Sequence, residues 1–244
     1  MSWLLLDTAL PRAVVAVVAI DGTVRSEILL DETRQHAERL TGAVDEALVA
    51  AGLDVKELTG IGVGTGPGSF IGVRTGLSFA RGLGAALGID VVGIGGLLAL
   101  YGSIDNGSVD AIVVVDARRG ERYVGVVGVV DGVLMLKSTI TAVANGDVVA
   151  GDVRLAVGAV HDLQWPEGLM ALAVPGPTAI GLWRALSARR QGHVVGDSAV
   201  SPLPVYVRGA DAKVPLVDPA ARRAAVLGWL DAAAPLSECV KDSN

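Results

Sequence analysis

The fifteen residues Gly62-Val-Gly-Thr-Gly-Pro-Gly-Ser-Phe-Ile-Gly-Val-Arg-Thr-Gly76 contain six glycines and lie between an apolar run and a helix-like one. Glycine-rich turns at that position cradle phosphates, place nucleophiles, or only turn the chain. A phosphate loop needs Lys before its terminal Ser or Thr, to put a positive charge on the phosphates. Ser69 is preceded by Gly68. A dinucleotide fingerprint needs G-x-G-x-x-G, and the third position falls on Ile71 or Ser69. A nucleophile elbow needs G-x-S-x-G; the nearest string, Gly76-Leu-Ser78-Phe-Ala80, lies inside the helical pattern and lacks its second glycine. What remains is a turn that Gly66 and Gly68 release and Pro67 stiffens, with Ser69 placed to cap a helix from Phe70. Free amides at such a helix start can hold an anion, so a plain turn and an anion contact both stay open.

Other reactive side chains are few. The three histidines, His36, His161 and His193, are too far apart in sequence for a His-x-x-x-His pair. His36 falls on the polar edge of the first helical stretch and reads as a surface or interface residue. Asp7 and Asp116 each end an apolar strand, where a carboxylate either forms a turn or holds a metal-bound phosphate.

The elements that position these groups follow from periodicity. Strands are expected at Trp3 to Leu6, Ala13 to Ile20 and Val24 to Leu30, the last two joined by an Asp21-Gly22 hairpin. Apolar residues at helical spacing run from Thr33 to Ala51, stopped by Gly52; strand follows at Leu58 to Val63. From Phe70 to Leu87 the apolar arc spans roughly 200°, against the ~100° of a one-sided surface helix. Such a helix should be covered twice, and Gly72, Gly76, Gly84 and Gly88 would admit a close backbone from this chain or a partner. Further strands are expected from Asp90 and from Ala111, a helix at Pro177 to Arg190, a last strand at Pro202 to Arg208 and a C-terminal helix at Pro219 to Ala233.

Residues 111 onward repeat the opening at an offset of about 109: an apolar strand ending in Asp, a short turn, a long Val-rich strand, an Asp-Gly hairpin and a third strand. Two such copies describe two ribonuclease-H-like lobes across a cleft, the architecture shared by actin, sugar kinases and heat-shock ATPases, with the second lobe degenerate after Ser138. The expected division is 1–104, 105–216, and a C-terminal helix and tail at 217–244.

Composition agrees with α/β. The 244 residues are 51% hydrophobic with 4% aromatics and 32 glycines, suited to buried parallel strands and close helix packing. The longest apolar run, Ala13 to Ile20, is far short of the ~20 residues of a spanning helix, and the N-terminus lacks a basic signal-peptide region. A cytoplasmic location is expected, in keeping with the single cysteine, Cys239. The net charge of −6 does not favour nucleic acid, and the pairs Arg118-Arg119, Arg189-Arg190 and Arg222-Arg223 read as solvated.

The segments Leu4-Leu-Leu-Asp-Thr8, His36-Ala-Glu-Arg-Leu40, Gly64-Thr-Gly-Pro-Gly-Ser-Phe-Ile-Gly-Val-Arg74 and Asp116-Ala-Arg-Arg-Gly-Glu121 together resemble the TsaB (YeaZ) family, with a weaker likeness at Pro204-Val-Tyr-Val-Arg208. Members of that family are subunits of the bacterial machinery that makes N6-threonylcarbamoyladenosine beside the tRNA anticodon. Their catalytic relative, TsaD, carries a metal-binding His-x-x-x-His in its first lobe; here the segment after Val92, GIGGLLALYGSID, has no histidine. The resemblance therefore implies a non-catalytic subunit that binds a TsaD-like catalytic subunit and is joined by a TsaE-like ATPase. The acidic balance points to tRNA being met indirectly, through the complex, and a third reading is a homodimer through the same helix surface when the partner is absent, since exposed apolar helix faces seldom stay uncovered.

The resemblance also implies docking through the first two helices, with Leu40, Val44, Leu48, Val73, Leu77, Ala80 and Gly84 as candidate interface residues. Asp7, Thr8, Gly66, Gly68, Ser69 and Asp116 are candidate anion or nucleotide contacts. No catalytic residue, metal site or resident cofactor is expected, with ATP or ADP and magnesium entering only at the level of the complex. The family has Thr where Ile71 stands, so a hydroxyl is missing from the turn. The alternative is an autonomous ATPase or phosphotransferase of the two-lobed kinase type, built on Asp7 and Asp116 around a magnesium-bound nucleotide.

Overall fold

The computed structural model describes residues 1–31, 36–105, 109–190, 203–205 and 207. Several expectations fall outside that range: the helix start at Thr33, His193, the ends of the expected strand at Pro202 and Arg208, and the C-terminal helix and tail with Arg222-Arg223 and Cys239. Residues 203–205 carry no strand; the amide of Val205 instead donates to the carbonyl of Thr65 at 2.9 Å, beside the glycine turn.

The first lobe runs β1 (Ser2–Asp7), β2 (Ala13–Ala19), β3 (Val24–Leu30), α1 (His36–Ala51), β4 (Leu58–Gly64), α2 (Phe70–Leu87), β5 (Val91–Ile94) and α3 (Gly96–Gly102). The second runs β6 (Ala111–Arg118), β7 (Glu121–Val130), β8 (Val133–Leu136), β9 (Thr141–Ala144), β10 (Leu155–Gly158), β11 (Met170–Ala173) and α4 (Ala179–Arg190). The two sheets are ordered β3-β2-β1-β4-β5 and β8-β7-β6-β10-β11, with β9 as an extra partner of β7. In each, the first pair is antiparallel and the pairing of the central strand with the next is parallel. The internal repeat is therefore a repeat of topology. Val-rich hairpins resembling one another by composition alone would not reproduce strand order and direction together.

Alternation explains how each strand serves two cores. In β2, Val14, Ala16 and Val18 point between the sheets, while Ala13, Val15 and Val17 point outward beneath α1 and α2. In β6, Ala111, Val113 and Val115 point between the sheets, and Ile112 and Val114 point to the outer side. Both faces are covered, so the strands read as continuous apolar runs. The lobes differ in what covers the outside. Two helices do so in the first lobe, whereas in the second Ala150, Val160 and Trp165, from the stretch between β9 and β11 that carries no α-helix, cover a smaller cluster. That stretch is the degenerate part of the repeat.

The space between the sheets is filled by α3 and α4. All seven residues of α3 are buried, which is why no polar stripe marked it as a helix in the sequence. The two helices touch backbone to backbone: a Cβ on Gly181 would collide with the Ala99 carbonyl and the Ser103 hydroxyl. Ser103 ties the crossing, donating to the carbonyl of Ala99 at 2.7 Å and accepting from the amide of Thr178 at 2.9 Å. Gly181→Ala is expected to destabilise the fold by about 1–3 kcal/mol through this overlap. Gly82→Ala, on an exposed helical position with nothing within 4 Å of the added carbon, should stabilise by about 0.5–1 kcal/mol; urea unfolding of both variants checks the contrast.

Candidate functional site

The glycine turn is built against the β1–β2 connection. Ser69 caps α2, its Oγ accepting from the amide of Gly72 at 3.2 Å, and its own amide donates to the carbonyl of Ala9 at 2.7 Å. Thr8 is buried, and its hydroxyl donates to the carbonyl of Gly72 at 2.6 Å. Side chains at Gly68 and Gly72 would strike the Ala9 and Thr8 carbonyls. Gly66 takes a φ of 89°, open to glycine without penalty, and its carbonyl accepts from Gly96 at 2.8 Å. The glycines serve close approach within this chain. Of the four amide donors at the helix start, that of Ser69 is taken by the Ala9 carbonyl and that of Gly72 by the Ser69 hydroxyl.

Asp7 lies beneath this turn. It is buried; Oδ1 accepts from the amide of Ala9 at 2.7 Å, and Oδ2, packed against Gly64, has no hydrogen-bond partner. Burial pushes its carboxyl up to about 6, against the single backbone hydrogen bond that favours the charged form. In the two-lobed reading Asp7 and Asp116 were both expected at the cleft. Asp116 does line it, whereas Asp7 sits behind the Thr8–Ala9 segment and is not part of its wall. Asp116 is also engaged: it accepts from the amide of Arg118 at 2.8 Å and from the Arg122 guanidinium at 3.2 Å.

The cleft between the lobes has a volume of about 370 Å³. Ala9, Leu10, Pro11, Ser69 and Leu100 form one wall; Val114, Asp116, Arg118, Gly158, His161, Val174 and Pro175 are among the residues of the other. Arg118 and His161 have no periodicity that would mark them as site residues, because they come from a hairpin and a loop brought together only by the sheet. Among the candidate contacts, Ser69 and Asp116 meet at this cleft; Asp7, Thr8, Gly66 and Gly68 form the support behind it.

The candidate interface residues need a correction. Leu40, Val44, Leu48, Val73, Leu77 and Ala80 lie in the first lobe's outer core, under the helices, and Gly84 abuts Val91. Their spacing marked the inner face of each helix, since apolar periodicity reports burial of any kind. The outer face of α2 instead presents Phe70 and Ile71, 53% and 73% exposed, followed by Thr75, Ser78, Gly82 and Ala85. Ile71 thus stands on the helix surface, away from the turn. His36 is corrected as well: it is buried, and its Nε2 donates to the carbonyl of Leu30 at 3.1 Å, joining α1 to β3.

The family model described as TsaD, tRNA N6-adenosine threonylcarbamoyltransferase, matches residues 23–196. An uncharacterized protein of Mycobacterium tuberculosis is 35% identical over 216 residues, covering 86% of this chain and 93% of its own length. The Escherichia coli tRNA threonylcarbamoyladenosine biosynthesis protein TsaB is 33% identical over 125 residues, 50% of this chain and 53% of its own. In structure, YeaZ from Pseudomonas aeruginosa superposes with a TM-score of 0.70 at 26% identity, covering 84% of this chain and 99% of its own. The chain belongs to the TsaB (YeaZ) family. Its two-lobed fold is thus shared with that structure, and the resemblance extends well past the first lobe.

Asp7 makes this region pH-sensitive. Its folded value lies above the ordinary 3.8, so between the two the native state holds a proton the unfolded chain has lost. Stability from this group is present at low pH and declines as pH rises through about 6. Asp7→Asn should gain stability relative to the parent between about pH 4 and pH 7, by up to about 3 kcal/mol, read by urea unfolding at both pH values.

Proposed function

We propose that the chain is a non-catalytic subunit of the machinery that forms N6-threonylcarbamoyladenosine in tRNA, binding and supporting a TsaD-like catalytic subunit. The observation that carries this reading is the second, outer face of α2. Its inner side is committed to the core, yet Ile71 stands exposed at its start beside Phe70, whose ring carries the Arg74 guanidinium at 3.8 Å, and small residues at Thr75, Ser78 and Gly82 leave the stripe that continues from Ile71 flat enough for another helix to approach closely. Membership of the TsaB family and the role that the Escherichia coli relative is named for supply the reaction. A TsaE-like ATPase joins the pair, tRNA is held mainly by the other subunits because this chain is acidic, and the same face closes a homodimer when the partner is missing. ATP or ADP with magnesium belongs to the assembled complex. A cytoplasmic location goes with a reaction on tRNA; among the described residues no helix is long and apolar enough to cross a membrane.

The competing reading, an autonomous two-lobed phosphotransferase, needs an ionised carboxylate facing the cleft and free amides at the start of α2. Burial of Asp7, engagement of Asp116 by two arginines and the bond from Ser69 to Ala9 all count against it.

Ile71→Asp and Gly82→Arg are expected to weaken the complex with the cognate TsaD-like subunit by about 2 kcal/mol or more each while the monomer stays folded. Met170→Lys, an exposed change on the second lobe, should leave it intact. Size-exclusion chromatography of the mixed subunits distinguishes these, and unchanged complexes in both α2 variants would overturn the docking face. ATP turnover by the isolated chain that disappears in Asp116→Asn would overturn the non-catalytic role.

A further inference from the structure

The turn between β6 and β7 is strained in a way the fold does not require. Arg118, Arg119 and Gly120 follow one another with φ of 65°, 56° and 77°. A two-residue hairpin with positive φ at both positions favours Asn-Gly or Asp-Gly, as at the next hairpin, where Asp131-Gly132 takes φ of 51° and 80°. Here arginines occupy left-handed backbone at about 1–2 kcal/mol each. Strain of this kind concentrates at ligand sites. Arg118 stands at the mouth of the cleft between the lobes.

The charges there are unevenly held. Arg122 is nearly buried, and its guanidinium contacts Asp116 at 3.2 Å; Arg118 reaches the same carboxylate at 3.4 Å, with 68% of its side chain exposed. One carboxylate thus serves two guanidinium groups, and the outer pair is long, solvent-screened and weak. Arg118 can turn to a second anion while Arg122 continues to neutralise Asp116. The cleft behind it is walled by Leu10, Leu100, Val114 and Val174, with His161 on the β10 side. Its volume of about 370 Å³ lies near the lower end of the ~300–1,000 Å³ range of small-molecule sites.

We infer that this cleft binds a small organic anion, a flat apolar body carrying one carboxylate, phosphate or sulfonate that Arg118 takes at the rim. Of α2 and its cap, the cleft wall includes Ser69 alone.

The test uses the full chain and 8-anilinonaphthalene-1-sulfonate as a fluorescent probe. The probe should bind saturably at one site. Arg118→Asn, which keeps a residue tolerant of left-handed backbone, should weaken it about tenfold or more through loss of the charge-assisted bond. Ala159→Trp, which fills the cleft from a partly exposed wall position, should abolish it. Asp116→Asn should tighten it by releasing Arg118 from its competing carboxylate, a direction that a merely structural role for the turn would not produce. Displacement by 1-naphthoate or by adenosine monophosphate then distinguishes a carboxylate head from a phosphate head. Affinity unchanged in both Arg118→Asn and Ala159→Trp, with circular dichroism confirming the fold, would overturn the site; so would equal displacement by the uncharged 1-naphthalenemethanol.

Discussion

The contact on which the rest depends is the crossing of α3 and α4 at Gly102 and Gly181. These helices are the common filling between two otherwise separate sheets, and they approach so closely that no side chain fits between the backbones. The Ser103 hydroxyl bridges them, and the Arg184 guanidinium donates to the carbonyl of Gly102 at 2.9 Å. Because interiors are close-packed, an extra methyl at this point propagates into both sheets. Leu100, on the same turn of α3, forms part of the cleft wall, so the spacing of the lobes and the shape of the cleft are set by one helix pair.

A second constraint acts at the cleft's edge. The β1–β2 connection is fastened to the first turn of α2 by the bonds from Thr8 and Ser69. The same connection is held to the second lobe, where the amide of Arg12 donates to the carbonyl of Pro175 at 3.2 Å. In an anion-binding fold this edge would be open to a phosphate. Here the chain's own carbonyls take the donors, and a carboxylate at the end of β1 is left buried with one oxygen unpartnered. Burial away from water disfavours the charged carboxylate, which is the origin of the raised Asp7 value.

Much of the architecture was legible because it rests on short-range pattern. The limits of α2 and β3 coincide with their expected ends, since Ser69, Gly88 and the flanking turns carry local capping and turn chemistry. The offset repeat announced two matching sheets. Elements without amphipathic contrast were not legible: α3 is apolar on every side, and β10 and β11 are four residues each, below the length at which periodicity separates strand from loop. The candidate site was legible in part. Ser69 and Asp116 were found through their motifs, but Arg118 and His161 belong to the cleft only because β6 and β10 are neighbours in the sheet.

What the sequence by itself determined is therefore the family, the alternating strands, the glycine turn with its helix, and the doubling of the lobe, all of which depend on neighbours a few residues apart or on self-similarity. What only the tertiary structure decided is which side of each element faces inward and which polar groups remain for a ligand or partner. Leu77 and Ile71 are both apolar residues of α2; one lies against Val63 and its neighbours in the core, and the other faces outward. The same holds for the two aspartates, alike at the ends of their strands. One is sealed behind the turn and the other opens on the cleft, because burial depends on what folds over a residue from far along the chain.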